Sequence, residues 1–140
     1  MDNHLVNLDW SGMEVLGDDE CRHLLDAAPI GRLGFVDQGS PVILPVNFTL
    51  DGRSIVFRSA AGSKLSAAVM ERPVCLEVDG WDGLQHSGWS VLAKGVARHV
   101  SDADEVGRLS SAKVRPWSNP DVRDQWVRIV VDELSGRRIA

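Results

Sequence analysis

Four residues at one break in the chain have the types and spacing to hold an anion. Arg58 and Ser59 close a strand-like run, and Ser63 and Lys64 open a helical one, with Ala60-Ala61-Gly62 between them. Ser63 stands where an N-cap belongs, so its hydroxyl can accept from free backbone N–H groups of the first turn. Lys64 then falls in that turn, where the helix dipole already presents positive charge. A phosphate held by Arg58, Ser59, Ser63, Lys64 and backbone N–H groups resolves the conflict, because helix N-termini are natural anion sites. The same residues also suit a solvated turn with ordinary charges.

Other chemistries are poorly supplied. Gly62-Ser63-Lys64 lacks the upstream glycine of GxxxxGK[ST], Gly31 and Gly34 are wrongly spaced for GxGxxG, and neither GxSxG nor CxxC occurs. Cys21 and Cys75 read as buried thiols, and His4, His23, His86 and His99 have no metal-site spacing, so no metal is expected. Glu77 and Asp79 share one strand face and read as exposed charges before a hydrolytic pair. A net charge of −5 argues against a nucleic-acid footprint. No basic start leads into an apolar run and no apolar stretch would span a bilayer, so a cytoplasmic protein without a membrane partner is expected. Trp89, Trp117 and Trp126 suit either core packing or a flat aromatic ligand with a phosphate tail. Pro45, Val46 and Asn47, in a strand that proline opens, offer backbone groups and one amide to such a ligand's polar edge.

The elements that would position these groups follow from pattern. With 140 residues the chain fits one domain, 1–140, whose first 16 residues form an arm or a short strand. Acidic Asp18-Asp19-Glu20 starts a helix that Pro29 ends. Strands are expected over 31–36 and 41–50, and the Asp51-Gly52 hairpin leads to another over 53–59. A short helix over 63–70 precedes a strand over 73–79 and a loop over 80–86. The longest strand, 88–100, contains Gly95, a bulge signal. A helix over 102–112 has Ser101 or Asp102 as N-cap. A loop over 114–123, a strand over 124–133, a turn at Leu134-Ser135-Gly136 and a last segment over 137–140 complete the chain. Six or seven hairpin-linked strands with short helices make a mainly β, antiparallel barrel.

Four segments together carry a family resemblance: Ile30-Gly31-Arg32-Leu33-Gly34-Phe35, Pro41 through Phe48, Phe57 through Lys64, and Ser87-Gly88-Trp89-Ser90-Val91. Their order and spacing, from about Asp19 to Ala140, resemble the pyridoxamine 5′-phosphate oxidase-like flavoproteins, most closely the small actinobacterial-type branch. That resemblance implies a split β-barrel that dimerises, with FMN in each of two interface clefts and hydride transfer to or from flavin N5 for a small-molecule substrate. Arg58, Ser59, Ser63 and Lys64 would hold the phosphate, and Pro45, Val46 and Asn47 would line the isoalloxazine. Trp89 and Ser90 would close over the flavin, from the partner chain if the dimer forms. The deazaflavin F420 on the same fold, or a flavin-binding redox sensor without catalysis, are the alternatives. No dedicated acid–base residue can be named, although Arg32, Arg115 and Arg128 are candidates to orient an anionic substrate. The C-terminal arginine–histidine signature of the true oxidases is absent from Ser135-Gly136-Arg137-Arg138-Ile139, which leaves the substrate open.

Overall fold

A computed structural model describes residues 6–59, 64–110 and 125–139, and of Lys64 only the backbone. In chain order the elements are β1 (Glu14–Val15), α1 (Asp18–Ala27), β2 (Gly31–Asp37), β3 (Ser40–Val46), β4 (Phe48–Asp51), β5 (Ser54–Ser59), α2 (Lys64–Val69), β6 (Pro73–Asp82), β7 (Ser87–His99), α3 (Ala103–Ser110) and β8 (Gln125–Ile139). All strand pairs are antiparallel, in the order β3-β2-β6-β7-β8-β5-β4, with β1 added to the end of β8.

The two ends of that order, β3 and β4, are consecutive in sequence and separated only by Asn47. The sheet therefore curls until its edges meet at one residue without pairing, which makes a split barrel. Alternation puts Leu33, Phe48, Ile55, Phe57, Leu76, Val78, Val91 and Ile129 inside, all buried. Each such side chain contributes roughly 1.5–3 kcal/mol on burial, so these strands supply the main stabilisation. A smaller cluster, Val56, Leu109 and Trp126, lies on the other face of β5 and β8 beneath α3. Helix α1 starts without a side-chain cap, but three acidic residues in its first turn complement the dipole, and it buries Cys21 and Leu25.

Several expectations hold and four need correction. The Gly95 bulge is present: the β7/β8 register shifts between Lys94 and Gly95, and a Cβ on Gly95 would stand 2.0 Å from the Val130 carbonyl oxygen. Asp102 caps α3, its Oδ1 accepting from the Asp104 and Glu105 amides at 2.8 and 3.2 Å.

The described residues contain eight strands, not six or seven, because Glu14–Val15 pairs with Arg138 and Arg137. The run over 41–50 divides at Asn47, where the chain leaves one sheet edge for the other. The loop expected over 80–86 is shorter, because β6 continues to Asp82 and Trp81 lies over Gly88, whose added Cβ would be 2.7 Å from the indole. The turn at Leu134-Ser135-Gly136 does not occur; β8 runs through it, paired to β7 as far as Ile139. Gly136 is there for packing, since a Cβ would meet Cys21 Sγ at 2.7 Å. The loop over 114–123, with Arg115 and Trp117, lies outside the described residues. No helix among the described residues is long and apolar enough to cross a membrane.

Candidate functional site

The open end of β5 brings most of the expected residues together. The β4/β5 register pairs Phe48 with Phe57, so Asn47 and Arg58 are the next residues beyond the pair, at the point where the barrel splits. Pro45 faces Arg32 across β2/β3 and is exposed, whereas the Val46 side chain is buried in the core. The Asn47 amide is already used in part, Nδ2 donating to the Pro29 carbonyl at 3.1 Å. What Val46 can present to a ligand is its backbone; Asn47 can add its Oδ1.

Arg58 and Ser59 are adjacent on a strand and so point to opposite faces. Ser59 is fully buried on the side of Phe57, while Arg58 lies on the other face with its guanidinium carbon 5.4 Å from the Trp126 ring centroid. That stacking holds the cation against an aromatic face. Arg58 Nε is buried with no hydrogen-bond partner among the described residues. Helix α2 begins at Lys64 immediately beyond; Ser63 and the Lys64 side chain lie outside the described residues.

Trp89 and Ser90 are elsewhere. Arg58 pairs with Trp126 and Trp89 with Arg138, so the two sit near opposite ends of β8, twelve residues or roughly 40 Å of strand apart. Trp89 lies flat on Gly80, where a Cβ would come within 2.6 Å of its Nε1. Ser90 sits between Asp79 and Arg137 in the sheet. Within one chain these residues cannot share a site with Arg58.

Of the three candidate arginines for an anionic substrate, the two described, Arg32 and Arg128, are already paired with carboxylates. Arg32 pairs with Glu77 and Asp79 at 3.0 and 2.7 Å. Burial, followed by the neighbouring Asp79 carboxylate, pushes the Glu77 carboxyl above its ordinary value despite Arg32. Arg128 bonds Asp51 at 2.8 Å and also Glu105, and Arg108 grips Asp51 through both nitrogens at 2.7 and 3.0 Å. Hydrogen bonds from Arg108, then Arg128, lower the Asp51 carboxyl to about 2.

Sequence reasoning missed a polar cluster beside Arg58. Ser66 Oγ lies 3.1 Å from His99 Nε2 and donates to Gln125 Oε1 at 3.3 Å. These residues are far apart in sequence. They meet because Glu71 N donates to Ala97 O at 2.8 Å and Ala97 N to Arg72 O at 3.1 Å, binding the end of α2 to β7. Among the described residues no group of three or more His, Cys, Asp or Glu is placed to hold a metal ion.

The described residues thus form a small antiparallel β-barrel split at Asn47, with an arginine stacked on Trp126 at the split. The family profile described as pyridoxamine 5′-phosphate oxidase matches residues 17–138, and the chain belongs to that family. It is 35% identical over 130 residues, covering 89% of this chain and 84% of the other, to an uncharacterized protein of Mycobacterium tuberculosis. Among solved structures it is similar to the FAD-binding protein of Mycobacterium smegmatis, with 33% identity, TM-score 0.76, and 89% and 96% of the two chains covered. It is also similar to a conserved protein of unknown function from Corynebacterium diphtheriae, with 32% identity, TM-score 0.77, and 91% and 98% covered.

Proposed function

We propose that the chain is a flavin-binding oxidoreductase that holds the cofactor by its first phosphate at the split of the barrel. FMN is the smallest flavin with the two parts this site suits, an isoalloxazine and a phosphate, and FAD shares both. The observation that carries the reading is Arg58: a cation fixed on Trp126 with a buried Nε that lacks a partner among the described residues. The FAD-binding relative supports it independently. Arg58 supplies charge to the phosphate, Ser59 and the start of α2 supply backbone N–H groups, and Ser63 and Lys64 complete the clamp. Pro45, Val46 and Asn47 line the ring edge. When bound, the flavin supplies hydride acceptance and donation at N5, while the protein orients it and excludes water.

The site is completed by a second copy of the chain. Trp89 and Ser90 lie too far along β8 to reach a flavin at Arg58 of their own protomer. The outer sheet face also carries exposed Val36 and Ile43 beside an apolar cleft lined by Gly34, Pro41, Cys75 and Val96, a surface suited to a partner. The test is Arg58→Ala together with Lys64→Ala. Loss of flavin binding in a folded double variant is expected, and unchanged affinity would overturn the site as drawn.

A further inference from the structure

Trp10 is 98% exposed, yet the turn that carries it is closely bonded. Asp9 Oδ1 accepts from the Ser11 amide at 2.9 Å, the Ser11 hydroxyl at 2.6 Å and the Met13 amide at 3.0 Å. Asp9 N donates to Met13 O at 2.8 Å and Gly12 N to Asp9 O at 3.0 Å, with Gly12 at a φ of 86° that glycine adopts without strain. Arg137 Nε donates to Asp9 Oδ2 at 3.1 Å, which ties the turn to β8. A large aromatic side chain on so fixed a backbone meets an occupant at little ordering cost.

The anchor sets Trp10 at the sheet face that carries the apolar cleft. Counting by twos along β6 leads from Cys75, in that cleft, to Asp79 and Trp81; along β7 it leads from Val96 to Ser90. Asp79 pairs with Ser90, and Ser90 with Arg137, so Arg137 and the Asp9 it holds stand on the same outer face beside Ser90. Trp81, 67% exposed, flanks that end of the face. A second copy seated on the cleft covers this end as well. An indole packs best offset on another flat aromatic system, and an isoalloxazine is one. Resting on the reading of a flavin site completed by a second copy, we propose that Trp10 is a further site residue supplied in trans, its indole stacking on the flavin ring held at Arg58 of the partner subunit.

The experiment compares wild type and Trp10→Ala loaded with FMN, by flavin fluorescence, affinity and sedimentation. The exposed Trp10 side chain supports no packing in its own chain, so the variant keeps its fold. Binding should weaken about 2- to 10-fold, the scale of one aromatic pair, and bound flavin should brighten, because a stacked indole quenches flavin emission. Mixed dimers of an Arg58→Ala chain with a Trp10→Ala chain, isolated through two different affinity tags, read the direction of supply. Their one intact Arg58 lies on the Trp10→Ala chain and meets the native Trp10 of the other, so emission and affinity at that site should match wild type. Emission like that of the Trp10→Ala homodimer would place Trp10 in its own chain's site and overturn the proposal. Weaker dimerisation with flavin emission and affinity unchanged would put Trp10 on the partner's protein surface, and a flavin-loaded monomer would leave it nothing to reach. Either result overturns the proposal and leaves flavin binding standing; failure of the wild type to bind any flavin would overturn both.

Discussion

Arg58 and Asp51 show how one sheet face separates binding from stability. Arg58 has an aromatic support but no partner on Nε among the described residues, so its replacement costs the fold little and the ligand much. Arg58→Ala should lower stability by no more than about 1 kcal/mol. The same change should weaken flavin binding about 10- to 100-fold, the scale of one charge-assisted bond, as read by fluorescence titration beside a urea melt. Asp51 is the converse, gripped by Arg108 and Arg128 and with its carboxyl at about 2 instead of the ordinary 3.8. A lowered folded-state value means that the stabilisation is complete above about pH 4 and is lost as pH falls through 2. Allowing for screening at a partly exposed site, it is worth about 1–2 kcal/mol. Asp51→Asn should therefore lose about that much at pH 7 and nearly nothing relative to wild type below pH 2, in urea melts across that range.

At the scale of elements, local signals were legible and pairing was not. Asp51-Gly52, the acidic start of α1, the Asp102 cap and the Gly95 bulge could all be read because each depends on neighbouring residues. Ser135-Gly136 has the composition of a turn, but β7 and Cys21 decide its state, and both are remote in sequence. Gly136→Ala tests this directly. Overpacking against Cys21 should cost about 1–3 kcal/mol, whereas an exposed turn would tolerate the methyl group. The break at Asn47 was foreshadowed by Pro45, yet only the sheet order makes it the place where the barrel opens. The Ser66–His99–Gln125 cluster had no signal in the sequence, because α2 and β7 meet through the backbone of Glu71, Arg72 and Ala97. The candidate phosphate-binding residues could be named from composition, but not the separation of Arg58 and Ser59 onto opposite faces.

For the whole molecule, Arg58 and Trp89 pair with residues near opposite ends of β8, and the proposed function has a second copy bring them together. If a second copy joins them, Arg58→Ala and Trp89→Ala should each reduce flavin binding alone and complement each other when subunits are exchanged. Random exchange of equal amounts leaves about one quarter of the sites with both native residues, and flavin binding should recover to that level. Absence of recovery in mixed dimers would show that Trp89 acts within its own chain or not at all. The central claim, that this barrel is a flavin protein, is met most directly by titrating the flavin-free protein into FMN and FAD while following flavin fluorescence and the visible spectrum. Saturable binding of one flavin per chain, weakened about 10- to 100-fold in Arg58→Ala, is the predicted result. An unperturbed flavin spectrum at protein concentrations well above micromolar would contradict it.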